Sequence, residues 1–197
     1  MLAAGSPWVD TVLLTHSHYD HVGGIDDLRP YCVQDDGIPV YCRADVADDL
    51  RARLPYCFSE HPYPGVPRFD LRIVDDRPFD VGDGLAVTPL PVIHCRLLVI
   101  GFRIGSLAYI TDAGTVPGET LRMIHGVDTL VINALRHTPH ISHMNLRQAL
   151  DVIKVVSPRV AYLTHLSHEM GLHADVEPTL PPNVKIAYDG LTIEVPT

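Results

Sequence analysis

Three histidines and one aspartate stand within six consecutive residues, in the segment His-Ser-His-Tyr-Asp-His that directly follows an apolar run. These groups could not all be core residues, because each buried polar group would need a buried partner. At the end of a strand alternate residues point to the same side, so His16 and His18 can bind one metal ion. The chain then turns and directs Asp20 and His21 towards a second ion. A histidine-rich surface loop is the alternative, and the spacing favours a metal site.

Three further candidate ligands follow apolar segments in the same way. Asp112 ends Tyr-Ile-Thr-Asp, where a carboxylate on a buried strand needs a strong partner such as a metal ion. His165 ends Tyr-Leu-Thr-His, and a threonine also precedes His16, so we expect three strands to converge on one rim. His94 follows the apolar residues 85–92, although a lone histidine there is more often structural. Ligands on rigid strand ends would give a preorganised site.

Hydrophobic periodicity and turn residues predict an α/β chain in which a run of strands precedes an alternation of strands and helices. Strands are expected at residues 10–15, 38–43, 69–74, 85–92, 98–104, 107–111, 129–133 and 159–164. Helices are expected at residues 44–54, 117–125 and 145–156. Residues 184–188 and 191–195 are predicted to form a closing hairpin around Asp189 and Gly190. This order suggests two sheets with helices outside them.

The bulk composition limits the classes of function. A chain of 197 residues with an apolar fraction of 46% suits one domain with a sizeable core. The formal net charge of −9 disfavours long nucleic acids as substrates. Four cysteines without a CxxC pair indicate free thiols. No apolar run is long enough for a membrane span, and the first residues lack a signal-peptide pattern. We therefore expect a cytoplasmic protein with a small-molecule substrate and no membrane partner, and a homodimer stays open.

Five segments together carry a resemblance to a known family: THSHYDHVGGIDDLRP, LPVIHCRLLVIGFRIG, AYITDAG, HISHMNL and AYLTHLSHEMG. The first contains the HxHxDH pattern that is specific for the metallo-β-lactamase superfamily. The combination resembles the PhnP-type phosphoribosyl 1,2-cyclic phosphate phosphodiesterases of that superfamily. The resemblance implies a single metallo-β-lactamase-like domain over residues 1–197, with an α/β fold that is a four-layer αββα sandwich. Relatives carry further strands before the HxHxDH segment, residues 16–21, which we call the metal loop. The resemblance therefore also implies an N-terminally shortened fold.

The resemblance further implies how the ligands divide between two ions. The first ion would be held by His16, His18 and His94, the second by Asp20, His21 and His165, and both by a bridging Asp112. Nitrogen and carboxylate ligands fit Zn²⁺ or Mn²⁺, and spacing alone does not choose between them. Some relatives build an accessory zinc site from N-terminal cysteines and a histidine at the position of His168. The four cysteines of this chain occupy other positions.

His143, in Ser-His-Met-Asn, occupies the position where the family keeps a histidine facing the phosphate. From the residues alone, it could equally be a residue that starts the helix at 145–156. With the resemblance, we assign it a phosphate-binding or proton-donating role and place it with Asp20 among the catalytic residues. His137 and His140 remain open, and His168 is expected to be structural or to support the ligands.

These expectations combine into a hydrolase hypothesis. Two divalent ions would lower the pKa of a water held between them, and the resulting hydroxide would attack a phosphodiester, with a small cyclic phosphate as the favoured substrate. Thioester cleavage by the same centre is an alternative. RNA processing is disfavoured by the acidic charge, and a lactamase by the absent signal peptide. A catalytically weak remnant that binds metal or a partner is the last alternative, suggested by the abrupt start at Met1 and opposed by the complete ligand set.

Overall fold

The computed structural model describes residues 5, 8–32 and 37–195. The chain divides into two compact units, Met1–Arg77 and Pro78–Thr197, and the expectation of a single domain stays a prediction. The expected lack of a signal peptide concerns the first residues, of which 1–4 and 6–7 lie outside the described residues. Within the described part of the chain, no helix is long and apolar enough to cross a membrane. All four cysteines are free thiols, which confirms that prediction.

The first unit is built on a small parallel sheet. Its strands are β1 (Val12–Leu13), β2 (Ile38–Cys42) and β3 (Phe69–Ile73), in the order β1-β2-β3. Helix α1 (Tyr19–Val22) follows β1, and helix α2 (Ala44–Arg53) follows β2. Parallel neighbours cannot be joined by a tight hairpin, so each connection has to cross over and carries helical residues. The residues of the metal loop therefore lie in the first of these crossovers.

Helix α2 packs one face against the core of the first unit. Val46 and Leu50 are buried there together with Val40 of the central strand β2. Asp45 lies in the first turn of the helix and Arg53 in the last. Each charge is opposite in sign to the partial charge of the helix end at which it lies, so both stabilise the helix. The helix forms where the sequence predicted it.

The second unit contains a seven-stranded mixed sheet. Its strands are β4 (Phe79–Asp80), β5 (Ala86–His94), β6 (Leu97–Ile104), β7 (Leu107–Ile110), β8 (Thr129–Asn133), β9 (Val160–Thr164) and β10 (Val184–Ile186). The order across the sheet is β10-β9-β8-β7-β6-β5-β4. Its helices are α3 (Gly118–Ile124), α4 (Leu146–Val156) and α5 (His173–Val176). Two sheets with several helices confirm the predicted α/β class.

The strand directions bring several chain ends to one edge of this sheet. Strands β7, β8 and β9 pair in parallel. Strand β6 is antiparallel to both β5 and β7, so β5 runs in the same direction as β7. The carboxyl ends of β5, β7, β8 and β9 therefore share an edge, where loops in α/β sheets commonly carry functional residues. The residues at these ends are His94, Asp112, Asn133 and His165.

The core of the second unit explains why the sequence of its central strand, β8, is mostly apolar. All five residues of β8 are buried, as expected for a parallel strand covered on both faces. Helix α4 buries Ala149, Ile153 and Val156 in the same cluster, which also contains Leu130 and Leu163. The apolar spacing predicted for residues 145–156 is therefore the face that covers the sheet.

The predicted closing hairpin is wrong. Strand β10 pairs in parallel with β9, and no strand is assigned within residues 187–195. Val184 and Ile186 are buried, whereas Tyr188 is 60% exposed. The buried alternate residues draw the segment into the parallel sheet, and this tertiary pairing outweighs the local turn signal of Asp189 and Gly190. The two-residue strand β4 and the four-residue helices α1 and α5 were too short to be predicted from periodicity.

Helix α4 begins with a capping box that yields a stability prediction. The Asn145 side chain accepts a hydrogen bond from the backbone N–H of Gln148, and the Gln148 side chain accepts one from the backbone N–H of Asn145, both at 2.9 Å. We expect Asn145→Ala to lower the free energy of unfolding by about 1 kcal/mol in urea titrations, because a backbone donor loses its partner. Asn145→Asp keeps the acceptor and should retain most of the stability. Equal losses in both variants would contradict a capping role.

Candidate metal centre

The metal loop of the first unit brings its imidazole rings together. The ring centroid of His16 lies 4.6 Å from that of His18 and 4.3 Å from that of His21. Nε2 of His21 stands 3.3 Å from Oδ2 of Asp20. Strand β1 ends just before the loop, and Leu14 continues its pairing through an N–H bond to the carbonyl of Tyr41. The four residues of the HxHxDH pattern thus form one cluster at the end of a strand, as the spacing predicted.

His16 is oriented by the threonine that precedes it. Its ring is 4% exposed, and Nδ1 lies 3.0 Å from Oγ1 of Thr15. With Nδ1–H donated to that hydroxyl, Nε2 is the ring nitrogen suited to coordinate an ion. The Thr-His pair of the sequence therefore has a local function, because the threonine hydroxyl contacts Nδ1 and so orients the histidine ring.

At the sheet edge of the second unit, His94 is held in a similar way. It is the last residue of β5, and its Nδ1 lies 2.8 Å from the carbonyl oxygen of Asp112 and 3.1 Å from that of Ser142. Both neighbours accept, so Nδ1 carries the proton and Nε2 is again the coordinating nitrogen. This geometry favours a ligand role for His94 over a purely structural one, because Nδ1 donates to backbone carbonyls and Nε2 is left to coordinate.

Asp112 occupies a strained backbone position two residues after the end of β7. Its φ angle is +58°, and the residue is 1% exposed. Thr111 donates its hydroxyl hydrogen to Oδ2 at 2.7 Å, while Oδ1 lies 2.9 Å from Nε2 of His143 and 3.3 Å from Nε2 of His165. His165, directly after β9, also has a positive φ of +54°. Positive φ values at non-glycine residues are uncommon and concentrate at functional sites.

The loop after Asp112 is fixed by residues that the sequence analysis missed. The amide of Asn133 binds both backbone groups of Ala113, accepting its N–H at 2.8 Å and donating to its carbonyl at 3.0 Å. A side chain at Gly114 would place its Cβ 2.6 Å from the carbonyl oxygen of Ser142, so only glycine fits there. The available signal was Asn133 itself, a polar residue ending an apolar strand like the predicted ligands.

His143 lies among the predicted ligands of the second unit. Its ring centroid is 4.6 Å from that of His94 and 5.0 Å from that of His165, with the latter pair stacked. Potential ligand atoms of His94, Asp112 and His143 lie within 4.8 Å of one another. Burial lowers the pKa of His143, and the hydrogen bond to Asp112 opposes that shift. This position is compatible with a proton donor and also with a ligand, so the role of His143 stays a prediction.

The histidines left open occupy different surroundings. His140 lies next to His143, with 3.2 Å between their Nδ1 atoms, and also contacts Ser142. His137 bonds through Nε2 to the carbonyl of Met170 at 3.0 Å. His168 begins a short 3₁₀ turn after β9.

The donor set fits divalent metal ions. Imidazole nitrogens and carboxylate oxygens at strand ends suit Zn²⁺ and Mn²⁺, whereas thiolate-preferring ions lack their ligand type among these residues. The Nδ1 contacts of His16 and His94 leave the Nε2 atoms to coordinate, which is the usual arrangement of metal-binding histidines. Each unit thus contributes a cluster with the chemistry of a metal site.

Comparison with known proteins agrees with this chemistry. The pattern of the beta-lactamase superfamily domain matches residues 2–166. The chain therefore belongs to the β-lactamase superfamily and has the metallo-β-lactamase fold, as the resemblance implied. Within the superfamily, it is similar to a diphosphatase from the PhnP family, whose crystal structure superposes with a TM-score of 0.88 at 30% identity and covers 96% of this chain and 72% of that one.

Two further comparisons extend the picture. The Zn²⁺-bound PqqB of Methylobacterium extorquens is 18% identical with a TM-score of 0.69, over 94% of this chain and 73% of its own, which shows the shared fold. A protein of Porphyromonas gingivalis named octanoyltransferase is 42% identical over 192 residues. The match spans 96% of this chain but only 39% of that relative.

The bidentate bond of Asn133 to Ala113 yields a prediction for the centre. We expect Asn133→Ala to lower the free energy of unfolding by about 3 kcal/mol, because two buried backbone groups lose their partner and each costs about 1–3 kcal/mol. The metal content of the purified variant should fall as well. Asn183→Ala is the matched control, since Asn183 donates a single hydrogen bond to the carbonyl of Pro158 from an exposed position. Comparable losses in both variants would refute an anchoring role for Asn133.

Proposed function

We propose that this chain is a dinuclear metal-dependent hydrolase that cleaves a phosphodiester, with a small cyclic phosphate of the phosphoribosyl type as the favoured substrate. The observation that carries the proposal is the buried carboxylate of Asp112, held at a strained position with imidazoles of His143 and His165 on one oxygen. Such a group needs positive charge nearby, because a buried carboxylate without it would be costly. The similarity to the PhnP-family diphosphatase supports phosphoryl chemistry.

The ligand assignment follows the resemblance. We assign His16, His18 and His94 to one ion, Asp20, His21 and His165 to the other, and Asp112 to both, with Zn²⁺ or Mn²⁺ as the metal. When bound, two such ions would supply an activated water as nucleophile and offset the charge that develops on the phosphoryl group. The Nδ1 contacts of His16 and His94 orient these two rings as candidate ligands.

The proposed task of His143 is to bind the phosphoryl group or to donate a proton to the departing sugar oxygen. Its Nδ1 is 2.9 Å from the Ser142 hydroxyl, and its Nε2 faces Asp112. The ring is therefore held from both sides, which suits general acid catalysis from a fixed position. The acidic chain favours a small substrate over a long nucleic acid. We propose the cytoplasm as the compartment of the reaction.

A second candidate is the hydrolysis of an acyl ester or thioester. The name octanoyltransferase of the Porphyromonas gingivalis relative concerns an acyl group, although this chain matches only 39% of that protein. The same centre could activate water for attack on a carbonyl carbon, because metal ions polarise carbonyl and phosphoryl oxygens alike. A panel that compares a cyclic phosphodiester with an octanoyl thioester and a glutathione thioester separates the two chemistries.

Metal content and turnover together test the proposal. We expect about two equivalents of Zn or Mn per chain in protein purified without chelator, as in dinuclear hydrolases. His94→Ala should lose metal and activity together. His143→Ala should retain metal while its turnover falls by about 100-fold or more, the usual contribution of a positioned general acid. Elemental analysis and steady-state hydrolysis of a cyclic phosphodiester give both numbers.

The control variant is His125→Ala, an exposed histidine at the end of helix α3, which should change neither quantity. Folded protein that binds no metal would overturn the hydrolase proposal. If His143→Ala loses metal as completely as His94→Ala, then His143 is a ligand and the assigned proton donor is wrong.

A further inference from the structure

A cavity beside the metal loop is lined entirely by residues of the first unit. Its volume is about 440 Å³, within the range of about 300–1,000 Å³ that is typical of small-molecule sites. The inner wall consists of Val22, Ile25 and Leu50, which are buried core residues. The remaining lining residues are Tyr19, Gly23, Asp26, Arg53, Leu54 and Tyr56. The cavity therefore combines an apolar floor with a polar rim.

Tyr19 connects this cavity to the predicted metal centre. It stands in the sequence between the candidate ligands His18 and Asp20, and it is 76% exposed despite its large aromatic ring. An aromatic ring at this position has no evident packing role, because so little of its surface is buried. A substrate held at the metal loop would have Tyr19 as an immediate neighbour.

The Tyr19 ring lies close to the backbone of Gly23. A Cβ atom at position 23 would stand 2.9 Å from Cε1 of the ring and 2.8 Å from the carbonyl oxygen of Tyr19. The φ angle of Gly23 is −60°, so its backbone conformation does not require glycine. The close approach of the Tyr19 carbonyl oxygen and ring is what requires it. The ring thus lies against the backbone of Gly23 and keeps most of its surface exposed.

Asp26 gives the rim a specific hydrogen-bond acceptor. Its Oδ1 accepts from the Tyr56 hydroxyl at 2.8 Å and from Nη2 of Arg29 at 3.2 Å, and its Oδ2 accepts from Nη2 of Arg29 at 3.1 Å. Each carboxylate oxygen has about two acceptor sites, so Oδ2 retains capacity for a further donor. The bond to Tyr56 lowers the pKa of Asp26 and raises that of Tyr56 to about 12, which keeps the carboxylate ionised.

We propose that this cavity binds a heteroaromatic ring carried by the phosphodiester substrate, as in a nucleotide ester, with Tyr19 as the stacking surface and Asp26 as the acceptor for an amino group of the ring. The inference rests on the proposed function and narrows its substrate class. An aromatic ring suits the apolar side chains of Val22, Ile25 and Leu50 at the inner wall, whereas a bare sugar phosphate offers them no apolar surface. Stacking of a base on an aromatic side chain changes affinity by about fivefold to a hundredfold.

The test uses three esters with the same leaving group: the 4-nitrophenyl phosphates of cytidine (5′-linked), uridine (5′-linked) and methanol. We expect the metal-loaded wild-type protein to prefer the cytidine ester over the methyl ester by about tenfold in kcat/KM, mainly through KM. The uridine ester should fall between them, because uracil lacks the amino group that Asp26 would accept. Tyr19→Ala should reduce the ratio of the cytidine rate to the methyl rate to about one, because the stacking surface is lost, whereas Tyr19→Phe should keep the preference.

Tyr188→Ala is the matched control, since Tyr188 is 60% exposed and does not line the cavity. Calorimetric titration with cytidine 5′-monophosphate against ribose 5-phosphate measures the ring contribution without turnover, so it decides the inference even if no ester is hydrolysed. Hydrolysis of the methyl ester alone tests the proposed function. Equal kcat/KM for all three esters, with equal affinity for the two monophosphates, would overturn the inference and leave the hydrolase intact.

Discussion

A single imidazole N–H links three segments of the second unit. His94 ends β5, Asp112 lies in the loop after β7, and Ser142 lies in the loop before α4. Nδ1 of His94 lies between the carbonyl oxygens of the other two residues. A buried N–H must find an acceptor, and here it finds two backbone carbonyls. The same contact therefore sets the ring orientation of one candidate ligand and the backbone position of another.

The loops can approach this closely only because of the residues around them. Gly114 leaves room for the carbonyl of Ser142, which a Cβ would meet at 2.6 Å. Asn133 holds Ala113 from the neighbouring strand and so keeps the peptide after Asp112 in place. The capping box at Asn145 then starts helix α4 two residues after His143. The loops at the centre are thus held by hydrogen bonds between side chains and the backbone.

The sequence predicted what depends on local pattern. The core helix at residues 145–156, the buried strand at residues 129–133 and the candidate ligands at strand ends all have signals within a few residues. The parallel pairing of β10 with β9 depends on residues more than 20 positions apart, so the turn signal at Asp189 was misleading. The role of Asn133 was likewise hidden, because its partner Ala113 lies 20 residues earlier and contributes only backbone groups. The cavity beside Tyr19 combines residues from α1 and α2 that no local pattern relates.

Backbone strain distinguishes the candidate ligands from other residues with positive φ. Among the described residues, five non-glycine residues have such angles, and Asp83, Cys95 and Ser157 adopt them in tight turns or at the end of helix α4. Asp112 and His165 adopt them just after strands that end at the same sheet edge. Glycine would relieve about 1–2 kcal/mol at each position. Folding alone would therefore favour glycine at both places, and the retained carboxylate and imidazole are best explained by chemistry that requires those side chains.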